Sequence, residues 1–290
     1  MLHIETTEVH IPDLRKELSL LLITDLHLLL AGGRDTDYAR RHAESRVPFF
    51  PHSSAILAEI ERHIAENPPD ITLVTGDFID FPSAENLDAL DAFLNGLCKN
   101  YLYVIGNHDW CYPCEVPDDA TRGRNHPLFA SVCPNPDFQV LDLGEVLLVG
   151  VDDSTNQVTR DQIEKTKEVF GRGKPCVVFL HVPVYAPTML EACMSYWGQP
   201  IMIGMPMGKL ALPTDAFLVP SPETYEFVDL LKDPSSPVAA VFAGHVHFSH
   251  KDEIAPGRFQ CTTALASTLE NAVGTVAKIR VLQPPNSDVQ

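Results

Sequence analysis

Five short apolar runs, at 18–23, 71–74, 101–105, 176–180 and 238–243, each end within a few residues of side chains that bind metals or move protons. In order, these are Asp25-Leu26-His27, Gly76-Asp77, Gly106-Asn107-His108-Asp109, His181 and Gly244-His245-Val246-His247. The runs are partly β-branched, bounded by turn residues, and apolar at successive positions, as strands buried on both faces must be. Helical patterns fill the gaps between them, which predicts an α/β fold with crossover connections. In open α/β sheets the crevice outside the carboxyl ends of the strands gathers residues distant in sequence. The five blocks are therefore expected to form one site.

The donor types narrow its chemistry. Carboxylates, imidazoles and one amide oxygen suit manganese, iron or zinc better than magnesium or calcium alone. Asp25, His27, Asp77, Asn107, His181, His245 and His247 are seven candidates, more than one mononuclear site uses. Two cations sharing a bridging carboxylate account for seven, and such a pair clamps the attacking and leaving oxygens of an in-line displacement at phosphorus while lowering the pKa of water. Asp25 and His27, like His245 and His247, are two apart, so on extended backbone both members of each pair leave on one face. Glycines directly before three of the blocks let backbone approach the ions closely.

The ordered set Asp-x-His, Gly-Asp, Gly-Asn-His-Asp, lone His and Gly-His-x-His resembles the signature of the calcineurin-like metallophosphoesterase superfamily, with all five blocks intact between about residues 18 and 250. The resemblance implies a four-layer αββα sandwich of two mixed β-sheets with the metal site at the C-terminal strand ends. It implies that Asp25, His27, Asp77 and His247 hold a first metal and that Asp77, Asn107, His181 and His245 hold a second, with Asp77 as the bridge. His108 would stand free of metal as proton donor to the leaving oxygen, with Asp109 orienting it. Histidine suits that role because its reference pKa is about 6.5. The implied activity is hydrolysis of a phosphodiester or phosphomonoester of a small molecule by a metal-bound hydroxide. The Gly-Asn-His-Asp variant and the compact length resemble the bacterial cyclic-nucleotide phosphodiesterase group. A degenerate scaffold serving as a protein-binding module is the rival, and lost ligands would be its trace. A metal-dependent amide hydrolase would begin with a His-x-His block that this chain lacks.

The charge of the chain bounds its partners. A net charge of −18 disfavours nucleic acid, which proteins bind with clustered Lys and Arg. Bound cations would supply local positive potential for a small phosphorylated substrate. No run reaches the roughly 18 apolar residues of a membrane span. The opening residues lack the basic flank and apolar stretch of a secretory signal, and seven cysteines cannot all pair, so the cytoplasm is the expected compartment. The motifs run through nearly the whole chain, so one domain over 1–283 is expected, with 284–290 a frayed tail.

Between the motifs, helices are predicted from Ser53 or Ser54 to about Asn67, from Ser83 to about Cys98, from a Thr159/Gln162 capping box to near Gly171, and from Ser221-Pro222 to before Pro234. Runs 259–264 and 276–282 read as closing strands. Asp80, Asp152 and Asp153 read as turn or supporting carboxylates, and His250 as a surface histidine. The connection 28–52 reads as a long loop beside the first block. It carries Arg34, Arg40, Arg41, His42 and Arg46, and reads either as a solvated basic loop or as a clamp in which Arg34 and Arg40 bind substrate phosphate. The methionine-rich segment 184–220 reads as a lid, a subunit contact or core filling. Cys111 and Cys114, with Cys133 and His126, could make a zinc site, although two thiols on a rim loop fit the single Cys-x-x-Cys pair better.

Overall fold

The computed structural model describes residues 2–112, 114–206, 208, 219–266 and 273–284. Among them, eleven strands form two mixed sheets. The first sheet holds β1 (Leu2–His10), β2 (Leu18–Ile23), β3 (Ile71–Thr75), β4 (Tyr101–Val104) and β11 (Gly274–Leu282), in the order β1-β11-β2-β3-β4. The second holds β5 (Phe138–Asp142), β6 (Leu147–Val151), β7 (Cys176–Phe179), β8 (Val238–Ala243), β9 (His250–Ala255) and β10 (Arg258–Thr262), in the order β5-β6-β7-β8-β10-β9. Strands β2, β3 and β4 run parallel, as do β6, β7 and β8. Each sheet therefore presents three carboxyl ends side by side.

Alternation along the strands builds the layers. In β2, Leu20 and Leu22 point to one face and Leu21 and Ile23 to the other, and all four are buried. Leu20 and Leu22 join Leu73, Leu102 and Val104 of the first sheet with Leu148, Val177, Phe179 and Phe242 of the second, so this core lies between the sheets. Leu21 and Ile23 face Ile56, Ile60 and Ile64 of helix α2 (Ser53–Glu66) in a core on the outer side of the first sheet. Val149 and Val178 meet Ile163 of α6 (Arg160–Phe170), Met189 of α7 (Pro187–Tyr196) and Phe227 of α8 (Pro222–Lys232) outside the second. The order is helices, sheet, sheet, helices.

Local chemistry sets most helix starts. Thr159 and Gln162 form the reciprocal capping box of α6, and Ser221 accepts from the N–H of Thr224 ahead of α8. Ser83 caps α3 (Ala84–Asp91), which continues as a π-helical turn through Leu97. α2 differs from the expectation. His52 occupies its N-cap without a side-chain bond, and Ser53 is buried inside the first turn.

Three segments depart further from the sequence reading. The expected loop 28–52 contains α1 (Asp37–Arg46), capped by Thr36, whose only buried residues are Ala39 and Ala43. β1 pairs with β11 in parallel over nine residues despite a polar, mostly exposed sequence. In 184–220 the departure is helix α7, while Met189, Met202 and Met205 fill core, one of the three readings; Met207 lies outside the described residues, as does 285–290 of the expected tail. α4 (Asn107–Trp110) and α5 (Asp119–Asn125) complete the helices named below. Among the described residues no helix is long and apolar enough to cross a membrane.

Candidate metal centre

The site begins where the six carboxyl ends meet. Asp25 follows β2, Asp77 follows β3, Asn107 follows β4, His181 follows β7, and His245 and His247 follow β8. Backbone bonds lace these loops together: Asp25 N–H donates to Gly76 O at 3.0 Å, His27 N–H to Asp77 O at 2.9 Å, and Gly244 N–H to His181 O at 3.0 Å. The two sheets join at Asp25, whose Oδ2 accepts the N–H of His245 at 2.9 Å.

The pairs two residues apart are not extended as expected. Asp25, His27, Asp77, His245 and His247 have φ of 51°, 47°, 50°, 69° and 62°. Asp and His tolerate this left-handed region better than most residues, and such strain persists only where surroundings over-determine it. Here the alternating left-handed residues aim the paired side chains. Gly76, at φ 89°, is required twice over, since a Cβ there would stand 2.4 Å from Nδ1 of His181.

Two clusters result. In the first, Nε2 of His27 lies 3.2 Å from Nε2 of His247, and Oδ1 of Asp25 lies 4.0 Å and 3.4 Å from those two nitrogens. In the second, Nε2 of His181 lies 3.0 Å from Nδ1 of His245, 3.0 Å from Oδ1 of Asn107 and 3.3 Å from Oδ2 of Asp77. The same Asp77 Oδ2 is 3.9 Å from Nε2 of His27. One carboxylate oxygen therefore faces both clusters, while the other accepts the N–H of His108 at 2.8 Å.

The donor set fits cations. His181 Nδ1 lies 2.8 Å from the carbonyl of Thr75 and so carries the proton there, which turns an Nε2 lone pair toward an amide oxygen, a carboxylate oxygen and another imidazole. Asp25, His27, Asp77 and His181 are at most 1% exposed. Buried lone pairs and negative charge converging at these distances are satisfied by a positive ion between them. The electrostatics agree. Burial pushes the Asp77 carboxyl up, but the charge of His181, then His108, outweighs it and holds the group well below its usual range. Burial pushes His181 down, but Asp77 and Asp25 reverse this and take it up to about 10, so the carboxylates favour a proton on Nε2 that a bound cation would displace to use the lone pair. His245, buried and facing His181, is pushed down to about 3. The pocket is built to hold positive charge.

Supporting carboxylates differ from the sequence expectation in one respect that bears on mechanism. Asp109 does not orient His108. Its oxygens take the N–H groups of Gly106 (2.7 Å), Asp77 (2.9 Å) and Ile79 (3.0 Å), stapling the second and third blocks together. Burial, then the charge of Asp77, pushes this carboxyl up to about 7. The residue beside His108 is Asp80, whose Oδ1 is 3.4 Å from His108 Nδ1 and 2.9 Å from His27 Nδ1. Arg46 clamps Asp80 from the other side with Nε and Nη2, both at 2.8 Å. Asp153 accepts the N–H groups of His181 and Val182, supporting the β7 loop.

The expected phosphate clamps point elsewhere. Arg34 pairs with Asp88, and Arg40 with Asp37 and the carbonyls of Gly32 and Asp35. Instead a cleft of about 260 Å³ beside His108 is lined by His42, Arg46, Asp80, Asn107, Tyr112 and Pro117 among others. Two aromatic residues border the site, Phe50, which no sequence motif marks, and Trp197 of the aromatic-bearing 184–220 segment. Phe50 stacks on His27 at 4.1 Å and 8°, and Trp197 meets His247 edge-on at 5.4 Å. An aromatic residue in the 28–52 or 184–220 connection was the only available signal. The cysteines do not assemble with His126: Cys133 bonds the carbonyl of Tyr103, Cys111 those of Tyr112 and Glu115, and His126 faces Asp137 and Asp152. His250 is half-buried on β9, 3.1 Å from Asp252.

A family model described as calcineurin-like phosphoesterase matches residues 18–249. Among solved structures, the chain is similar to a dimetal phosphatase from Danio rerio, with a TM-score of 0.53 and 14% identity over 85% of this chain and 87% of that one. It is similar also to the TT1561 protein of Thermus thermophilus, with a TM-score of 0.48 and 9% identity over 86% and 90% of the two chains. A purple acid phosphatase from yellow lupin gives a TM-score of 0.46 and 13% identity, covering 96% of this chain and 47% of that one. No curated protein matches the sequence.

Proposed function

The chain belongs to the calcineurin-like phosphoesterase family and is a metallophosphoesterase, and from that premise we propose that it hydrolyses a small-molecule phosphodiester with two cations drawn from manganese, iron and zinc. Asp25, His27, Asp77 and His247 would hold the first and Asp77, Asn107, His181 and His245 the second. When bound, the pair supplies Lewis acidity toward phosphate oxygens and ionises a water at neutral pH.

The protein's own groups do the rest. His108 has its Nδ1 turned to Asp80 and its side chain on the cleft, so Nε2 is the atom placed to protonate the departing oxygen. Asn107 directs its amide oxygen at His181, which leaves its N–H donors for a nonbridging phosphate oxygen. Asp80 and Arg46 hold His27 and His108 in register.

A diester is favoured over a monoester by one observation. Three arginines of the 28–52 connection, Arg34, Arg40 and Arg46, are committed to carboxylates. A monoester dianion calls for extra cationic partners, whereas a monoanionic diester needs room for a group on each side of phosphorus. The cleft beside His108 provides room for the leaving group. Seven retained ligands speak against a degenerate binding scaffold, and the acidic chain against nucleic acid. The test is a panel of bis-p-nitrophenyl phosphate, cyclic nucleotides, nucleotide diesters and p-nitrophenyl phosphate with manganese supplied. Diesters should be turned over with the higher kcat/KM; a monoester preference would refute the diester assignment.

A further inference from the structure

The rings at the centre stand in a fixed sequence. His108 meets His27 with centroids 4.8 Å apart, His27 meets His247 at 5.1 Å, and His247 meets Trp197 at 5.4 Å. Two imidazoles thus stand between Trp197 and the proton donor in this series. It directly follows α7, and its Nε1 donates to the carbonyl of Val246 at 2.8 Å, the residue between the ligands His245 and His247. The loop that carries the ligands thus fixes the indole, while the residue remains 39% exposed. Tyr196, 60% exposed, packs on Trp197 at 5.1 Å and on Phe248 at 5.3 Å. An oriented, solvent-facing aromatic ledge thus begins at a metal-ligand side chain.

In an in-line displacement the leaving oxygen departs toward its proton donor, so the ester group that phosphorus keeps must point to another flank. We propose that Trp197 is a specificity-determining residue whose exposed face stacks on a planar ring of that retained group. The substrate class is then a phosphodiester whose retained alcohol carries an aromatic or heteroaromatic ring, and this rests on the diester reading above. Stacking on an indole is tolerant of ring identity because every such ring offers a π-face. It is also pre-organised, since the hydrogen bond to Val246 has already fixed the ring before substrate arrives.

The test uses the manganese-loaded full chain and two substrates with the same leaving group, bis-p-nitrophenyl phosphate and methyl p-nitrophenyl phosphate. Their intrinsic reactivities differ, but that difference cancels when two proteins are compared. Trp197→Ala should lower the ratio of kcat/KM for the aryl ester to that for the methyl ester at least tenfold, equivalent to about 1.4 kcal/mol, mainly through KM. Trp197→Phe should restore most of the ratio. Metal content, read by mass spectrometry, should match wild type in both variants. An equal loss on both substrates, with or without metal loss, would make Trp197 a mere support for the ligand loop and overturn the proposal. So would an unchanged ratio. If wild type hydrolyses neither diester but cleaves p-nitrophenyl phosphate, the diester reading itself falls, a failure distinguishable because it appears before any substitution.

Discussion

Replacing Asp80 by Asn separates the two carboxylates that could govern His108. Asp80 lies 2.9 Å from His27 Nδ1, accepts two bonds from Arg46 at 2.8 Å each, and stands 3.4 Å from His108 Nδ1. An amide keeps the shape but removes the charge that strengthens His27 as a donor and holds the Arg46 clamp. Losing such an outer partner costs roughly 10–100-fold in metal affinity or activity, or about 1.4–2.7 kcal/mol. Asp109→Asn should behave differently. Its oxygens receive three backbone N–H groups, and an amide must turn its own donors toward at least one of them. An orphaned buried donor costs about 1–3 kcal/mol, expressed in stability. Calorimetric manganese titration, thermal melts and the pH profile of kcat on both variants resolve the matter. Asp80→Asn should weaken manganese binding and alter the profile with a small change in Tm, whereas Asp109→Asn should lower Tm by roughly 2–10 °C. If Asp80→Asn leaves both manganese affinity and the pH profile at wild-type values while Asp109→Asn shifts the profile, the assignment of Asp80 as orienting residue is wrong.

Other outcomes follow from the same geometry. His108→Ala should retain the full metal load but lose rate in proportion to leaving-group pKa, most for alkyl and least for p-nitrophenyl esters; a uniform loss would exclude proton donation. Chelation should lower Tm by several degrees, because cations bound between buried donors stabilise only the folded chain, and a melt insensitive to chelator would contradict the clusters. Lowering pH from 7.5 to 5 should release metal reversibly, since the imidazoles bind cations only when neutral, as metal analysis after dialysis would show.

The convergence of the seven candidate positions could be read from the sequence because each follows an apolar run, and parallel strands bring their ends together whatever the connections do. The four-layer arrangement came with the resemblance, since the same runs predict only strands buried on both faces. What escaped had no such pattern. β1 carries Glu5, Thr6, Thr7 and Glu8, and reads as surface until its pairing with β11 is known. α1 buries only two alanines, too small a stripe to mark a helix. The orienting role of Asp109 rests on the resemblance and the arginine clamp on proximity in sequence, and neither says anything about direction. The chain folds so that Asp109 turns back to three backbone donors and Asp80, three residues beyond Asp77, reaches both histidines. Left-handed backbone at five candidate ligands is likewise invisible in residue type alone.

Central to the proposed function is that Asp77 would serve two cations through the oxygen that faces His181 at 3.3 Å and His27 at 3.9 Å. Metal stoichiometry of manganese-loaded wild type and Asp77→Ala, measured after desalting and with circular dichroism verifying the fold, tests it most directly. Two ions per chain in the wild type and loss of both in the variant are predicted. A folded variant that still carries two ions would contradict it.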